Sequence, residues 1–279
     1  MPKTIVITGA SSGIGAAAAR QLSKAGHDVV LVGRNPRTTA ELASELGARH
    51  FVADFADLAQ VRALAEELRT AVGHIDVLAN NAGGVFGDPT PTVDGFEMTF
   101  QVNHLAPFLL TTRLMDVLTA SRASVIQTSS VGARFFGHLD LDDVQHERDF
   151  NPQVAYGTAK LANILFTREL HRRYRDQGIA AAAFHPGVVA TSFATESASV
   201  MRRLYASPLA RFILASPEKG ASQLVWLAEG TPPEDWTPGV YYEKKRPARK
   251  VNPQVRDAEL ARRLWDLSAE MLGTERGAA

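Results

Sequence analysis

The 279-residue sequence contains no cysteine, which excludes disulfides, thiolate nucleophiles and Cys-ligated metals. It has no net charge either, because thirty Lys and Arg offset thirty Asp and Glu. Bulk charge therefore gives no attraction to nucleic acid or to an anionic membrane, and no nucleic-acid partner is expected. The eight histidines include no His-Glu-x-x-His or comparable spacing, so no metal site is expected. No apolar run approaches the ~18 residues that a membrane span needs. A strand-like run begins at Lys3 and leaves no room for a signal peptide, so a cytoplasmic protein is expected. Linkers, internal repeats and low-complexity segments are also missing. With 45% hydrophobic residues the chain can bury a large core, and a single domain over 1–279 is expected.

What is present is an ordered set of short motifs centred on Tyr156-Gly-Thr-Ala-Lys160. On a helix, residues four apart share a face, so Tyr156 and Lys160 project side by side. An ammonium beside a phenol favours the phenolate, and a tyrosine tuned towards neutrality can exchange a proton with an alcohol or carbonyl oxygen. Ser130 upstream can steady that oxygen through its hydroxyl. Such a Tyr–Lys pair is common on helix surfaces, and it carries chemistry only where the rest of the chain builds a cofactor site beside it.

The N-terminal segment builds one. Lys3 to Thr8 reads as a buried parallel strand running into Gly9-Ala-Ser-Ser-Gly13-Ile-Gly15, then an Ala-rich helix to about Ala25, then the strand Val29–Val32. Strand, glycine turn, helix and strand together form a dinucleotide fingerprint. The expected contacts in this loop are Gly9, Ser11, Ser12, Gly13, Ile14 and Gly15. The glycines admit a close backbone approach to a pyrophosphate, and the helix N-terminus supplies N–H groups and positive potential. At the end of the second strand, where an NAD site typically carries a carboxylate, stands Arg34, placed to meet a 2′-phosphate, with Arg37 to assist. NADP(H) is therefore expected ahead of NAD(H).

Further along, a helix over 37–46 and a strand over 49–53 lead to Asp54-Phe55, which lie where open parallel sheets bind ligands. Asp54 suits an adenine amino group, or alternatively serves as a helix cap. A helix from Leu58 to Val72 and a strand from Ile75 to Ala79 follow. Asn80-Asn81-Ala82-Gly83-Gly84 then offers amides to bridge strands and small residues for a cofactor to lie against. A long helix is predicted from about 94 to 119. Within it, Pro107 denies the Asn103 carbonyl its helical partner, leaving an acceptor for a water. A fifth strand, 123–128, delivers Ser129 and Ser130, and a polar stretch over 131–155 borders the substrate entrance. The helix over 153–177 carries Tyr156 and Lys160. A sixth strand, 178–184, ends in His185-Pro186-Gly187-Val188-Val189-Ala190-Thr191, where Thr191 suits a carboxamide and His185 reads as a packed strand-end residue. A lid over about 192–215, a helix over 217–229, a seventh, edge strand at 239–242, a solvated basic loop over 244–250 and a closing helix over 257–272 complete the chain.

In order and spacing, Thr8-Gly9-x-x-x-Gly13-x-Gly15, Asn80-Asn81-Ala82-Gly83, Asn103, Ser130, Tyr156-x-x-x-Lys160 and Pro186-Gly187 resemble the short-chain dehydrogenase/reductase family over almost the whole chain. Val102-Asn-His-Leu-Ala-Pro-Phe-Leu-Leu-Thr111, Tyr156-Gly-Thr-Ala-Lys-Leu-Ala-Asn-Ile-Leu-Phe166 and the long interval between Ser130 and Tyr156 resemble its retinol-dehydrogenase-like branch, which includes the WW-domain-containing oxidoreductases. The resemblance implies an α/β fold: a single Rossmann-type, doubly wound domain with a seven-stranded, mostly parallel sheet flanked by helices. Its cofactor half spans about 1–130 and its catalytic half about 131–279. It also implies hydride transfer between NADP(H) and a small-molecule carbonyl or alcohol, with Tyr156 as acid and base. Ser130 orients the substrate oxygen, Lys160 tunes the tyrosine and holds the nicotinamide ribose, and Asn103 maintains a water relay. Cofactor contacts are implied at Asp54, Phe55, Asn81, Ala82, Gly83, Tyr156, Lys160, Pro186, Gly187, Val189 and Thr191, and pairing into a homo-oligomer through the helices carrying Asn103 and Tyr156. Two departures are expected: no hydrophobic N-terminal anchor of the kind animal membrane members carry, and Ser11 and Ser12 where some NADP-dependent relatives carry a basic residue.

Two other readings fit parts of the pattern. A sugar-nucleotide epimerase or dehydratase shares the fold and the Tyr–Lys pair, but has a tighter glycine loop and a longer C-terminal region. A non-catalytic NADP sensor or scaffold keeps the nucleotide site but has no need of Asn103, Ser130, Tyr156 and Lys160. Phe86, Phe135, Phe136 and Phe193, with the apolar lid, suggest a lipophilic aldehyde, ketone or alcohol as substrate.

Overall fold

The computed structural model describes residues 1–187 and 216–274. Val189, Thr191 and the lid expected over 192–215 lie outside the described residues.

The first half alternates strand and helix: β1 (Thr4–Thr8), α1 (Gly13–Lys24), β2 (Asp28–Gly33), α2 (Pro36–Leu46), β3 (Arg49–Val52), α3 (Leu58–Ala71) and β4 (Val77–Asn80). A helical run follows, made of α4 (Met98–Phe100), a π-helical turn (Gln101–Leu105), α5 (Ala106–Arg113) and α6 (Met115–Ala120). Next come β5 (Ser124–Thr128), the short α7 (Gly132–Phe135), α8 (Pro152–Tyr174) and β6 (Ala180–His185). Beyond the undescribed residues lie α9 (Pro217–Glu229), β7 (Val240–Glu243), β8 (Arg246–Pro247) and α10 (Ala258–Met271).

The strands form one sheet in the order β3-β2-β1-β4-β5-β6-β7-β8, with every pairing parallel except the last. The strand order reverses direction between β1 and β4, so the crevice for a ligand opens beyond the C-terminal ends of those strands. Side chains alternate between two cores. Val6, Ala181 and Ala183 join the face covered by α3, α5, α8 and α10, whereas Ile5, Ile7, Ala182 and Phe184 join the face covered by α1 and α9. Burial on both faces explains why these strands read as continuous apolar runs.

Three expectations need correction. The sheet has eight strands, not seven, because Arg246–Pro247 pairs antiparallel with β7. The 239–242 segment is therefore no longer at the edge. Proline is compatible with this placement, since an edge strand has one side free of ladder bonds. The basic stretch is not a plain loop: Lys244 and Lys245, at φ 53° and 59°, form the two-residue turn of this hairpin. The helix expected over 94–119 is broken by the π turn, which sits just before Pro107 and buries all five of its residues.

α10 covers α5 and α8, the helices through which pairing was expected. Its Trp265 lies with its ring centre 4.8 Å from Phe108 and 5.6 Å from Phe166. Among the described residues no helix is long and apolar enough to cross a membrane.

Candidate active site

The ends of β1, β4 and β5 converge on Asn81. Its Nδ2 donates to the Thr8 carbonyl at 3.0 Å, and its Oδ1 accepts from Thr128 Oγ1 at 3.2 Å. The Thr8 hydroxyl receives the N–H groups of Asn81 and Ala82, each at 3.0 Å. This lattice holds the glycine loop against the end of β4. A Cβ on Gly9, which has φ +65°, would stand 2.8 Å from Ala82 Cα. Glycine is required there by both the backbone angle and the space.

No side chain caps α1 at Ser12, and its first turn carries no acidic residue. Side chains do cap α2 (Asn35), α3 (Asp57), α8 (Asn151), α9 (Ser216) and α10 (Asp257). Uncapped first-turn N–H groups following a glycine loop at a switch point fit the pyrophosphate of a dinucleotide. A cavity of about 400 Å³ adjoins this turn, lined by Ser11, Ser12 and Gly13 together with Thr38 of α2 and Pro217 and Glu218 of α9. Ile14 is half-buried and Gly15 buried behind the loop. Gly33 abuts the glycine loop, since a Cβ on it would lie 3.1 Å from Ser11 Cβ. Arg34 follows it, exposed at the end of β2. Arg37, the second residue of α2, pairs with Glu41 at 3.9 Å.

Asp54 and Phe55 serve partly structural ends. Asp54 Oδ1 accepts from Ala56 N at 3.0 Å, while Asp57 caps α3. The Phe55 side chain is buried in the core, and its carbonyl accepts from Gln101 Nε2 at 3.2 Å.

The reacting groups meet further along the same edge. α8 is started by Asn151, whose side chain accepts from Gln153 N and Val154 N, and by Pro152 at its first position. One helical turn then separates Tyr156, half-buried, from Lys160, which is 2% exposed. Lys160 Nζ donates to the Thr128 carbonyl at 3.0 Å and lies 5.6 Å from the centre of the Tyr156 ring. Burial lowers its pKa to about 7. Gly83 makes room for this arrangement, because a Cβ there would stand 2.4 Å from Asn103 Oδ1 and 3.0 Å from Lys160 Nζ.

Asn103, in the π turn, is fully buried. Its Nδ2 donates to the carbonyls of Gly84 and Thr99, both at 2.8 Å, and its Oδ1 accepts from Gly84 N at 3.2 Å. The side chain thus ties the helix to the Asn-Asn-Ala-Gly-Gly segment. The main-chain carbonyl receives no N–H from Pro107.

The two serines after β5 point to different places. Ser129 Oγ donates into α8, to the Lys160 carbonyl at 2.7 Å, whereas Ser130 Oγ accepts from Gly132 N at 3.1 Å. A Cβ on Gly132 would lie 3.4 Å from both Ser130 Oγ and Tyr156 Cε1, so the two groups flank one open glycine. The glycine inside the Tyr–Lys motif has its own role. Gly157 packs on Gly137, since a Cβ on Gly157 would reach 2.7 Å from Gly137 N. Asn252 clamps the same loop by donating to the carbonyls of Ala133 and Gly137 at 2.9 and 2.7 Å.

The structure therefore gathers Asn103, Ser130, Tyr156, Lys160 and Gly83 around one point, with Asn81, Ala82 and the glycine loop beside it. Pro186 and Gly187 leave the end of β6 along the same edge, half-buried. Sequence reasoning overlooked Asn163, whose Nδ2 shares the Thr128 carbonyl at 3.5 Å. Its position three residues after Lys160 on the same helical face was the available signal. It also overlooked Gln223 and Asn252, which no local pattern marks.

The short chain dehydrogenase family model matches residues 3–201. A Streptomyces sp. (strain C5) protein assigned as a daunorubicin C-13 ketoreductase is 44% identical over 97% of this chain and 93% of its own length. Human retinol dehydrogenase 13 is 36% identical over 98% of this chain and 85% of its own length. Among solved structures, the 3-ketoacyl-(acyl-carrier-protein) reductase from Brucella melitensis complexed with NADH superposes with a TM-score of 0.67 at 25% identity, covering 86% of this chain and 95% of that one. The family match and these relatives support a nicotinamide-dependent oxidoreductase acting on CH–OH or C=O groups. The chain belongs to the short-chain dehydrogenase family, in its retinol-dehydrogenase-like branch.

Proposed function

We propose that the protein interconverts a lipophilic carbonyl compound and its alcohol with NADP(H), using Tyr156 as the general acid and base. The observation that carries this reading is the meeting of Tyr156 and Ser130 Oγ across Gly132, with the Lys160 ammonium 5.6 Å from the Tyr156 ring. Such an arrangement has no purpose in a protein that merely holds a nucleotide.

A bound nicotinamide supplies the hydride for reduction, or accepts it for oxidation. The protein's own residues do the rest. Ser130 donates a hydrogen bond to the substrate oxygen and fixes its direction. Tyr156 gives its phenolic proton to that oxygen as negative charge develops there, and takes the proton back in the reverse direction. Lys160, held by the Thr128 carbonyl, favours the phenolate when charged. Asn103 holds the Gly84 segment rigid, and its main-chain carbonyl provides an acceptor from which water resupplies the proton. The uncapped start of α1, with Ser11, Ser12 and Gly13, holds the pyrophosphate. Arg34 meets the 2′-phosphate, and Asp54 meets the adenine. Pro186 and Gly187 would border the nicotinamide, the role the sequence also suggests for Val189 and Thr191. The exposed Phe135 and Phe136, at the C-terminal end of α7 and just past it, favour an apolar substrate.

The test is oxidation of NADPH and NADH by purified protein across aldehydes and ketones, with Tyr156→Phe alongside. The expected result is NADPH-selective turnover, lowered about 10²–10⁴-fold in the variant with NADPH still bound. Preference for NADH would overturn the role given to Arg34. Tight NADPH binding without any turnover would favour a nucleotide sensor.

A further inference from the structure

The β5–β6 ladder ends with Ser129 N donating to the Phe184 carbonyl at 2.8 Å. Two residues on, where the chain has left the sheet, Val131 N donates instead to the ring of His185, at 3.3 Å to Nδ1. The imidazole thus takes the place of the next rung, at the turn that carries Ser130 and Gly132. Short-range bonds also close this turn, Gly132 N to Ser130 Oγ and Ala133 N to the Ser130 carbonyl, both at 3.1 Å, and Asn252 holds the Ala133 carbonyl just beyond it at 2.9 Å.

His185 is itself held from behind. Gln223 of α9, 6% exposed, donates through Nε2 to the His185 carbonyl, while its Oε1 accepts from Lys245 N at 2.9 Å. One amide therefore connects α9, the end of β6 and the β7–β8 turn. With Nδ1 accepting, the neutral ring carries its proton on Nε2. Burial, assisted by the nearby Arg134 charge, lowers the His185 pKa to about 4, which keeps Nδ1 available as an acceptor at neutral pH.

We propose that His185 is a positioning residue for the carbonyl–alcohol reaction: its Nδ1 holds the Val131 N–H and so sets the Ser130–Gly132 turn against Tyr156, with Gln223 fixing the backbone from which the ring projects. This rests on the proposed function. The consequence is that His185 acts on the rate through Ser130, without touching substrate or cofactor.

Three substitutions separate reach from polarity. The Oδ1 of asparagine lies as many bonds from the backbone as Nδ1 of histidine, glutamine places its oxygen one bond further out, and leucine has no acceptor. His185→Leu and His185→Gln are expected to lower kcat about 10–100-fold, with KM for the ketone and NADPH binding changed less than about threefold. His185→Asn is expected to restore most of the loss. Hydrogen exchange at the Val131 amide, measured without any turnover, is expected to accelerate in His185→Leu and to remain slow in His185→Asn. Equal losses in the Leu and Asn variants would overturn the proposal, as would Val131 exchange that is the same in wild type and His185→Leu. A wild-type protein that turns over no carbonyl compound would overturn the proposed function, and the exchange comparison would still decide whether His185 holds the turn.

Discussion

Ser129 and Ser130 are adjacent in sequence and opposite in use: Ser129 Oγ donates to the Lys160 carbonyl at 2.7 Å, and Ser130 Oγ stands beside Tyr156, accepting from Gly132 N at 3.1 Å. The two substitutions should therefore separate. Ser130→Ala is expected to lower kcat by about 10²-fold, as loss of a single transition-state hydrogen bond does, with little change in melting temperature. Ser129→Ala removes a second donor from the Lys160 carbonyl, which keeps its partner within α8, and is expected to cost about 0.5–1.5 kcal/mol of stability, read by urea unfolding. Equal kinetic losses in both variants would show that Ser130 has no special role.

Lys160 stabilises the reaction at the expense of the fold. Its ammonium is buried, its pKa is lowered to about 7, and the Thr128 carbonyl is its hydrogen-bond acceptor. A lysine with a depressed pKa disfavours the folded state wherever the unfolded lysine is protonated, which is throughout the range below pH 10. Lys160→Met is expected to raise the stability of the cofactor-free protein at pH 7 by about 2–4 kcal/mol, seen as a higher melting temperature, while abolishing turnover. A lower melting temperature in the variant would contradict this account.

His104 makes stability depend on pH. It is 1% exposed, lies 2.9 Å from Ser268 Oγ and is ringed by Phe100, Phe108 and Phe166. Burial lowers its pKa to about 4, with Asn163 partly offsetting the effect. Its unfolded pKa is about 6.5, so between these values the unfolded chain binds a proton that the folded chain refuses. The stability it permits is complete above about pH 7 and falls as the pH drops towards 4. At pH 5 the loss is about 2 kcal/mol. Urea titrations at pH 7.5 and 5 should show a shallower acid loss in His104→Phe than in wild type.

Trp265 anchors α10. It is 2% exposed, with Phe108 and Phe166 on its ring and the Arg173 guanidinium 4.9 Å from its centre. Arg173 in turn bonds Glu169 at 2.6 Å and Asp266 at 3.3 Å. Trp265→Ala is expected to cost about 3–5 kcal/mol and to uncover the α5–α8 face, read by unfolding and by the elution volume on size exclusion. An unchanged stability would show that α10 is only loosely docked.

Much of this was legible in the chain. The glycine loop, the apolar runs of β1, β2 and β4 and the Tyr–Lys spacing are local patterns, set by backbone angles and by helical and strand periodicity. They suffice to predict a doubly wound sheet with a nucleotide crevice and to pick out Tyr156, Lys160 and Asn103. The tertiary structure decided what depends on residues far apart. That Ser130 and not Ser129 faces Tyr156 follows from where the chain leaves the sheet after Thr128. That Lys160 is almost wholly buried follows from the packing of α8 against Thr128 and Gly83, and its lowered pKa is a property of that enclosure alone. The π turn at Gln101–Leu105 and the eighth strand at Arg246–Pro247 both depend on neighbours that sequence periodicity cannot see. The strap from Lys245 through Gln223 and His185 to Val131 joins residues more than a hundred positions apart. Local sequence sets which conformations each segment prefers, while burial and long-range hydrogen bonds determine which side chains end up facing one another.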